Sequence, residues 1–441
     1  MADKAIRIGL IGFGTIGSGV VKLLQRNRGA IRDTVGATLD LVRIADIDTT
    51  RDRGVKLGRG VLVGDARRIL DDPTIDIVIE LMGGTGAARR FVGEAIGAGK
   101  DVVTANKALL AHHGGEIFRA AERQRVQIGF EASVGGGIPI VRVLKEGLCG
   151  DRNLAVYGIV NGTSNYILSR MSDEGGEFGE VLKAAQADGL AEADPSFDID
   201  GIDAAHKLTL LIQLGFGVRV PFEQIPVEGI RHVSQADMAF ASEFGYAIKS
   251  LAVAKRVGDR IEAAVRPTMV PRSHLLANVK GPLNAIVVQG EALGPSMYLG
   301  AGAGMMPTAT AVVADLMEAA RNRLNSCRAR LAPLGYPLSR QARARLVALD
   351  DLHSEYYLRF MVVDRPGVLA RIAGILGERH ISIAAVIQRE REHGRVVPIV
   401  IRTHDARETA LRRAVRSIDR LSVVRGRSTA IRIEESLSSA G

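Results

Sequence analysis

A chain of 441 residues, 46 % hydrophobic and 24 % charged, is expected to fold into two or three domains, which excludes intrinsic disorder and collagen-like repetition. Two cysteines, Cys149 and Cys327, exclude a disulfide framework, and no apolar run reaches the roughly 18 residues of a membrane span. A cytoplasmic protein with no membrane partner is expected. The net charge of +9 resides in the last third, where 23 arginines from Arg321 onward are interleaved with 12 acids; this reads as a solvated face and predicts no nucleic-acid partner.

Residues 5–12 (AIRIGLIG) read as a buried strand, followed by glycines and a helical pattern through Val20, Leu23 and Leu24. Further β-type runs follow at Leu39–Ala45, Ile75–Leu81 and Asp101–Thr104, with a helical stretch at 86–98. Alternation of apolar strands and helices predicts an α/β, Rossmann-like, doubly wound sheet. Residues 151–300 have a different texture: a strand at 157–162, helices at 177–188 and 202–214, and β-type runs at 247–257, 261–266 and 284–289. They predict an α+β domain. Residues 315–350 read as helical, interrupted at 333–337 by Pro and Gly. The tail reads strand (356–363), helix (366–378), strand (381–388), strand (396–402), helix (406–417), strand (421–431), the βαββαβ order of a ferredoxin-like domain.

Three constellations carry chemistry. Gly12-Phe13-Gly14-Thr15-Ile16-Gly17 lies between a strand and a helix, where glycines let a pyrophosphate approach backbone amides at a helix N-terminus. At the end of the second strand Asp46 can bind a ribose 2′-hydroxyl and favour NAD over NADP, although Arg43, Arg51 and Arg53 nearby could reverse that preference, and Asp46 could be only a turn residue. Second, Asp203 and Lys207 are four apart and share a helix face, with Glu192 upstream in an irregular segment; an isolated pair of this kind is usually a surface ion pair. His206 faces elsewhere and reads as structural. Third, Glu131-Ala-Ser-Val-Gly-Gly-Gly-Ile-Pro-Ile140 follows a strand end, where carbonyls and one carboxylate suit a hard cation, unless the glycines merely make a turn.

These residues resemble homoserine dehydrogenase. The resemblance rests on GFGTIG (12–17), TANK (104–107), EASVGGGIPI (131–140), NGTSNYIL (161–168), AEADPSFDIDGIDAAHK (191–207) and GAGAGMMPTA (300–309), in family order over residues 5–330. The tail, with Asp364-Arg-Pro-Gly-Val-Leu369, resembles an ACT domain, although Arg379-His380-Ile381-Ser382 stands where amino-acid-binding ACT domains often carry Asn. The resemblance implies a monofunctional enzyme that interconverts L-homoserine and L-aspartate 4-semialdehyde with NAD(P), on the route to threonine, methionine and isoleucine. It implies Lys207 and Lys107 as catalytic, Glu192 and Asp203 as substrate-binding, and Thr104, Lys107, Gly189, Gly302 and Gly304 beside the cofactor. It also implies a monovalent cation on Glu131 and the carbonyls of Val134, Gly136 and Ile138, L-threonine as effector at the ACT domain, and a homodimer or homotetramer. The domains expected are a dinucleotide-binding domain (1–133, with a returning segment 303–330), a catalytic and dimerisation domain (134–302), a connector (331–354) and an ACT domain (355–435). All the dehydrogenase motifs precede residue 310, so a chain cut near Asp350 is expected to fold. Two alternatives remain: an amino-acid-sensing protein with an inactive dehydrogenase domain, or another NAD(P)-dependent semialdehyde or alcohol dehydrogenase. Retention of Lys107, Glu192, Asp203 and Lys207 together speaks against the first.

Overall fold

Strand β1 (Ala5–Ile11) is buried almost throughout, as a strand is when helices cover both faces of a parallel sheet. The computed structural model describes residues 5–389 and 395–437, and the chain divides into two compact units. The first comprises residues up to Val160, Ala205–Ile225 and Asn284–Ala344; the second comprises Asn161–Ala204, Pro226–Leu283 and the chain from Arg345.

In the first unit, β1 is joined by β2 (Thr38–Ala45), β3 (Leu62–Val63), β4 (Ile77–Glu80), β5 (Asp101–Thr104) and β6 (Ile128–Gly129) in the order β3-β2-β1-β4-β5-β6. Every pairing is parallel. The order reverses between β1 and β4, which leaves a crevice at their carboxyl ends. Helix Met305–Leu324 lays Ala309, Val312, Val313, Leu316 and Ala320 on the same core as Val20, Val21 and Ile44. The helical reading of 315–350 is thus correct only at its start. The helix ends at Leu324, and Ser326 and Ala329 then adopt φ of 54° and 50°, which a helix cannot accommodate. The unit also holds β7 (Asn153–Ile159), antiparallel to β10 (Leu283–Gly290), with β11 (Gly294–Ala301) beyond it.

In the second unit, β8 (Tyr246–Val257) and β9 (Arg260–Pro271) form a hairpin turned at Gly258, which has φ +61°. Strands β13 (His353–Val363), β14 (Ile383–Gln388), β15 (Val396–Thr403) and β17 (Thr429–Ile433) extend it in the order β8-β9-β17-β13-β15-β14. Two-residue strands β12 (Arg345–Leu346) and β16 (Ala406–Arg407) pair with β9 and β13. Helices Val368–Gly377 and Glu408–Asp419 bury Ile372, Leu376, Leu411, Ala414 and Ile418 against the tail strands. The tail has the expected element order, but its last strand lies at 429–433 and not 421–431.

The tail is not a separable module, contrary to the expectation that a cut near Asp350 is harmless. Strand β17 runs parallel to β9, with Arg432 opposite Thr268 and Ile433 opposite Met269. Tyr357, Val400, Ile431 and Ile433 share one core with Ile167, Ile199, Tyr246 and Met269. The fully buried Asp237 accepts hydrogen bonds from Tyr357 Oη at 2.9 Å and Arg359 Nε at 2.7 Å. A chain ending at Asp350 would leave the β9 edge unpaired at Thr268 and Met269, and Asp237 without its arginine. It is expected to aggregate or to lose cooperative unfolding, as read by size exclusion and circular dichroism; a monodisperse product with an unchanged melting midpoint would refute this.

Lys249 is 3 % exposed in the same unit, and its Nζ donates to the Val279 carbonyl at 2.6 Å. Burial pushes its pKa down to about 8. The folded state therefore holds fewer protons than the unfolded chain between about pH 8 and 10.5, so this contribution to stability rises with pH there. Lys249→Met is expected to abolish that rise and to gain most over the parent at neutral pH, as followed by denaturant unfolding from pH 7 to 10.

Candidate active site

Gly12 follows β1 directly, and its amide donates to the Ala45 carbonyl at 2.9 Å. It has φ +94°, and a Cβ would lie 2.6 Å from the Leu81 carbonyl group, so the turn admits only glycine. Gly17 meets a different constraint: a Cβ there would lie 2.4 Å from the Gly12 oxygen, so its absence lets helix Thr15–Arg26 press onto the strand it leaves. Gly14 faces open space, and no side chain caps the helix it opens. The first amides of that helix, and the positive end of its dipole, are thus left for an anion. Phe13 is buried, so this residue can meet a ligand only through its main chain, while Thr15 is exposed and Ile16 packs against the core.

Asp46 ties this loop down. Its Oδ2 accepts the Phe13 amide at 2.6 Å, and its Oδ1 accepts the Asp48 amide at 2.9 Å and Arg53 Nη2 at 3.3 Å. Arg53 lies 4.9 Å from the Phe13 ring centroid, with only 7 % of its side chain exposed. The acid therefore carries a positive neighbour.

Thr104, at the end of β5, is fully buried; its hydroxyl donates to Glu80 Oε2 at 2.7 Å and accepts the Asn106 amide at 3.0 Å. Its side chain is thus turned into the fold, and only its main chain is left for a cofactor. Burial pushes the Glu80 carboxyl up, and the Thr104 hydroxyl and Met82 amide oppose this only in part. Asn106 caps helix Lys107–Gln124 by accepting the Leu109 amide at 3.0 Å, which makes Lys107 the first helical residue.

Helix Ile202–Phe216 carries Asp203 and Lys207 one turn apart, both buried. Lys207 Nζ donates to the Val160 carbonyl at 2.6 Å. Asn161 Nδ2 donates to Asp203 Oδ2 at 2.8 Å and to Asp198 Oδ1 at 2.7 Å, while its Oδ1 accepts the Ser164 amide at 2.8 Å and caps helix Gly162–Glu174. Consecutive residues after β7 thus hold the lysine and the acid. Glu192 and Gly189 lie on an exposed loop, where Gly189 has φ +71° and the Glu192 carbonyl accepts from Gln186 Nε2 at 3.0 Å. His206, buried on the same helix, has its Nε2 3.1 Å from His112 Nε2 and its ring 4.4 Å from that of Phe222.

The buried Glu131 places its two oxygens on the amides of Val141 at 2.7 Å and Arg142 at 2.9 Å, and its own amide donates to Asp315 Oδ2 at 2.8 Å. Burial pushes the Glu131 carboxyl up. The Ile138 carbonyl accepts the Ile140 amide at 2.8 Å. Val134 and Gly136 are buried, and their carbonyls accept no backbone hydrogen bond among the described residues. A Cβ on Gly136 would meet the Gly302 carbonyl at 2.4 Å, and one on Gly302 would overlap the Asn284 side chain. Both ends of the buried Asn284 amide lack a hydrogen-bond partner among the described residues. Gly304 has φ +116° and opens helix Met305–Leu324 without a side-chain cap. Sequence reasoning missed Glu80, Asn161, Asp198 and Asn284. Asn161 and Asp198 stood inside motifs already singled out, but their partners lie far away in sequence.

Family models describe three stretches of the chain: "Homoserine dehydrogenase, NAD binding domain" at residues 12–131, "Homoserine dehydrogenase" at 139–317 and "ACT domain" at 356–421. Homoserine dehydrogenase of Pseudomonas aeruginosa is 41 % identical over 435 residues, covering 98 % of this chain and 99 % of that protein. The Neisseria gonorrhoeae homoserine dehydrogenase is 42 % identical over 431 residues, with the same coverage. The crystal structure of a homoserine dehydrogenase from Thiobacillus denitrificans superposes with TM-score 0.92 at 44 % identity over 98 % of each chain. A hyperthermophilic archaeal homoserine dehydrogenase in complex with NADPH matches at TM-score 0.61 and 26 % identity, covering 72 % of this chain and 98 % of that one.

Gly17→Ala forces helix Thr15–Arg26 off β1. It is expected to cost roughly 1–3 kcal/mol of stability, as overpacking does, and to weaken NAD and NADP binding alike. Thermal unfolding and fluorescence titration measure the two effects; unchanged titrations would mean that this packing does not set the loop.

Proposed function

The chain belongs to the homoserine dehydrogenase family, and within that family's reaction we propose that Lys207 moves the proton while Asp203 and Glu192 hold the substrate's ammonium group. The protein is an NAD(P)-dependent oxidoreductase acting on a CH–OH group, interconverting L-homoserine and L-aspartate 4-semialdehyde. A bound nicotinamide supplies or accepts the hydride. What remains for the chain is to orient the amino acid and to protonate the oxygen left by reduction.

One observation carries the assignment: a buried lysine, its Nζ aimed by the Val160 carbonyl at 2.6 Å, one helical turn from a buried aspartate. A substrate whose ammonium sits on Asp203 and Glu192 presents its far oxygen to such a lysine, which then acts as general acid in reduction and general base in oxidation. Lys107, opening its helix just after β5, is assigned to the cofactor and the reacting oxygen, with Gly12–Gly17, Gly189, Gly302, Gly304 and the main chain of Thr104 bordering the dinucleotide. Domains at 1–133 with 303–330, 134–302 and 355–435, joined by a connector at 331–354, are the proposed functional division.

A monovalent cation suits Glu131 and the carbonyls of Val134, Gly136 and Ile138, since the acid is buried and the buried Val134 and Gly136 carbonyls accept no backbone hydrogen bond among the described residues. Its charge would offset the burial of Glu131 and fix the glycine run. L-threonine as effector at the ACT domain, a homodimer or homotetramer, and a cytoplasmic location complete the reading. The shared core of the tail and the residues before Leu283 supports communication of an effector signal.

Lys207→Ala is expected to lose about 10²–10⁴-fold in rate with nicotinamide binding intact, whereas Lys107→Ala should also raise KM. The pH profile of homoserine oxidation separates the two: if Lys207→Ala keeps the basic limb and most of the rate while Lys107→Ala loses both, the roles are reversed. Asp46→Ala should weaken use of NAD more than of NADP, because a hydrogen bond to a charged acceptor contributes about 1.5–3 kcal/mol. Equal losses in kcat/KM for the two cofactors would remove Asp46 as the ribose reader.

A further inference from the structure

Within the second unit, β9, β17, the segment 226–233 and helix Glu408–Asp419 line a cavity of about 810 Å³. That volume matches sites for small organic molecules. No residue assigned to cofactor, substrate or cation lines it. Its wall carries six arginines against three carboxylates, beside an apolar surface that includes Val227, Leu411 and Val415.

Ion pairing inside the fold accounts for only part of this charge. Glu408 accepts from Tyr356 Oη at 2.6 Å, Arg412 Nε at 2.9 Å and Arg266 Nη1 at 3.2 Å. Arg359 is paired with Asp237 at 2.7 Å and Arg432 with Glu262 at 2.5 Å. Arg416 and Arg427 make no ion pair among the described residues. Arg266 is 8 % exposed, and its Nη2 is buried without a hydrogen-bond partner among the described residues. A buried guanidinium nitrogen left in this way costs free energy that an anion would recover. Two acids remain: Asp419 accepts the Ser428 amide at 3.3 Å and the Ser428 hydroxyl at 2.5 Å, and Glu228 is exposed, so water screens its charge.

We propose that this cavity is a binding site for a small organic anion, a carboxylate or a phosphate, gripped by Arg416, Arg427 and Arg266 against the apolar wall. It draws residues from the tail and from the segment before Leu283, so a ligand here would bridge the two. The assignment does not depend on threonine being the effector.

The test is calorimetric titration of the full-length protein with citrate and with inorganic phosphate, each against sodium chloride of equal ionic strength. One equivalent of either anion per chain is expected, and the double variant Arg416→Gln/Arg427→Gln should bind at least about tenfold more weakly. Melting midpoint, kcat and KM for homoserine should not change, because both side chains are exposed and outside the dehydrogenase site. Citrate alone binding assigns a carboxylate source, and phosphate alone a phosphate source. No binding above the chloride control, or equal binding by parent and double variant, overturns the proposal.

Discussion

A methyl group on residue 136 would sit 2.4 Å from the Gly302 carbonyl oxygen, and one on residue 302 would sit 2.0 Å from Asn284 Cγ. These two close approaches, Gly136 on the Gly302 carbonyl and Gly302 on Asn284, organise the first unit. It lets two glycine runs more than 150 residues apart abut, with the Gly137 amide donating to the Ala301 carbonyl at 3.0 Å. Helix Met305–Leu324 then begins in place and returns to the nucleotide sheet, where Asp315 receives the Glu131 amide at 2.8 Å. The dinucleotide turn, the carboxylate at 131 and the return helix therefore form one construction.

The parallel sheet was legible because strands buried on both faces carry unbroken apolar runs, as Ile77–Ile79 and the shorter Val102–Val103 do. Edges were harder to read. The run 421–431 looks β-like because Leu421, Val423 and Val424 are apolar, yet Val423 and Val424 meet β13 only through an isolated antiparallel bridge, Val362 to Val424, and the strand itself is Thr429–Ile433. Residues 325–350 carry helix-forming Ala, Leu and Arg, but positive φ at Ser326 and Ala329 breaks the pattern.

Within the site, residue types at fixed spacing were legible and their partners were not. Asp203 and Lys207 declare themselves by a separation of four. Nothing local says that Asn161 will reach both Asp198 and Asp203, or that Thr104 will turn inward to Glu80. Such pairings obey the requirement that buried polar groups find partners, and those partners come from other strands and helices. The same holds for His380: after helix Val368–Gly377 the chain needs a left-handed residue, and His380 takes φ +57° where Asn would be the easier occupant.

The parallel pairing of β17 with β9 also has a consequence during synthesis. Thr268 cannot meet Arg432 until roughly 160 further residues have been translated, which at about 5–20 residues per second takes on the order of 10 s. Throughout that interval the nascent second unit holds a strand destined for burial, β9, with its edge at Thr268 and Met269 unsatisfied while the first unit's parallel sheet is already complete in sequence. The ribosome thus releases a chain whose two halves mature on different clocks, and the slower half is the one that chaperones would be expected to guard.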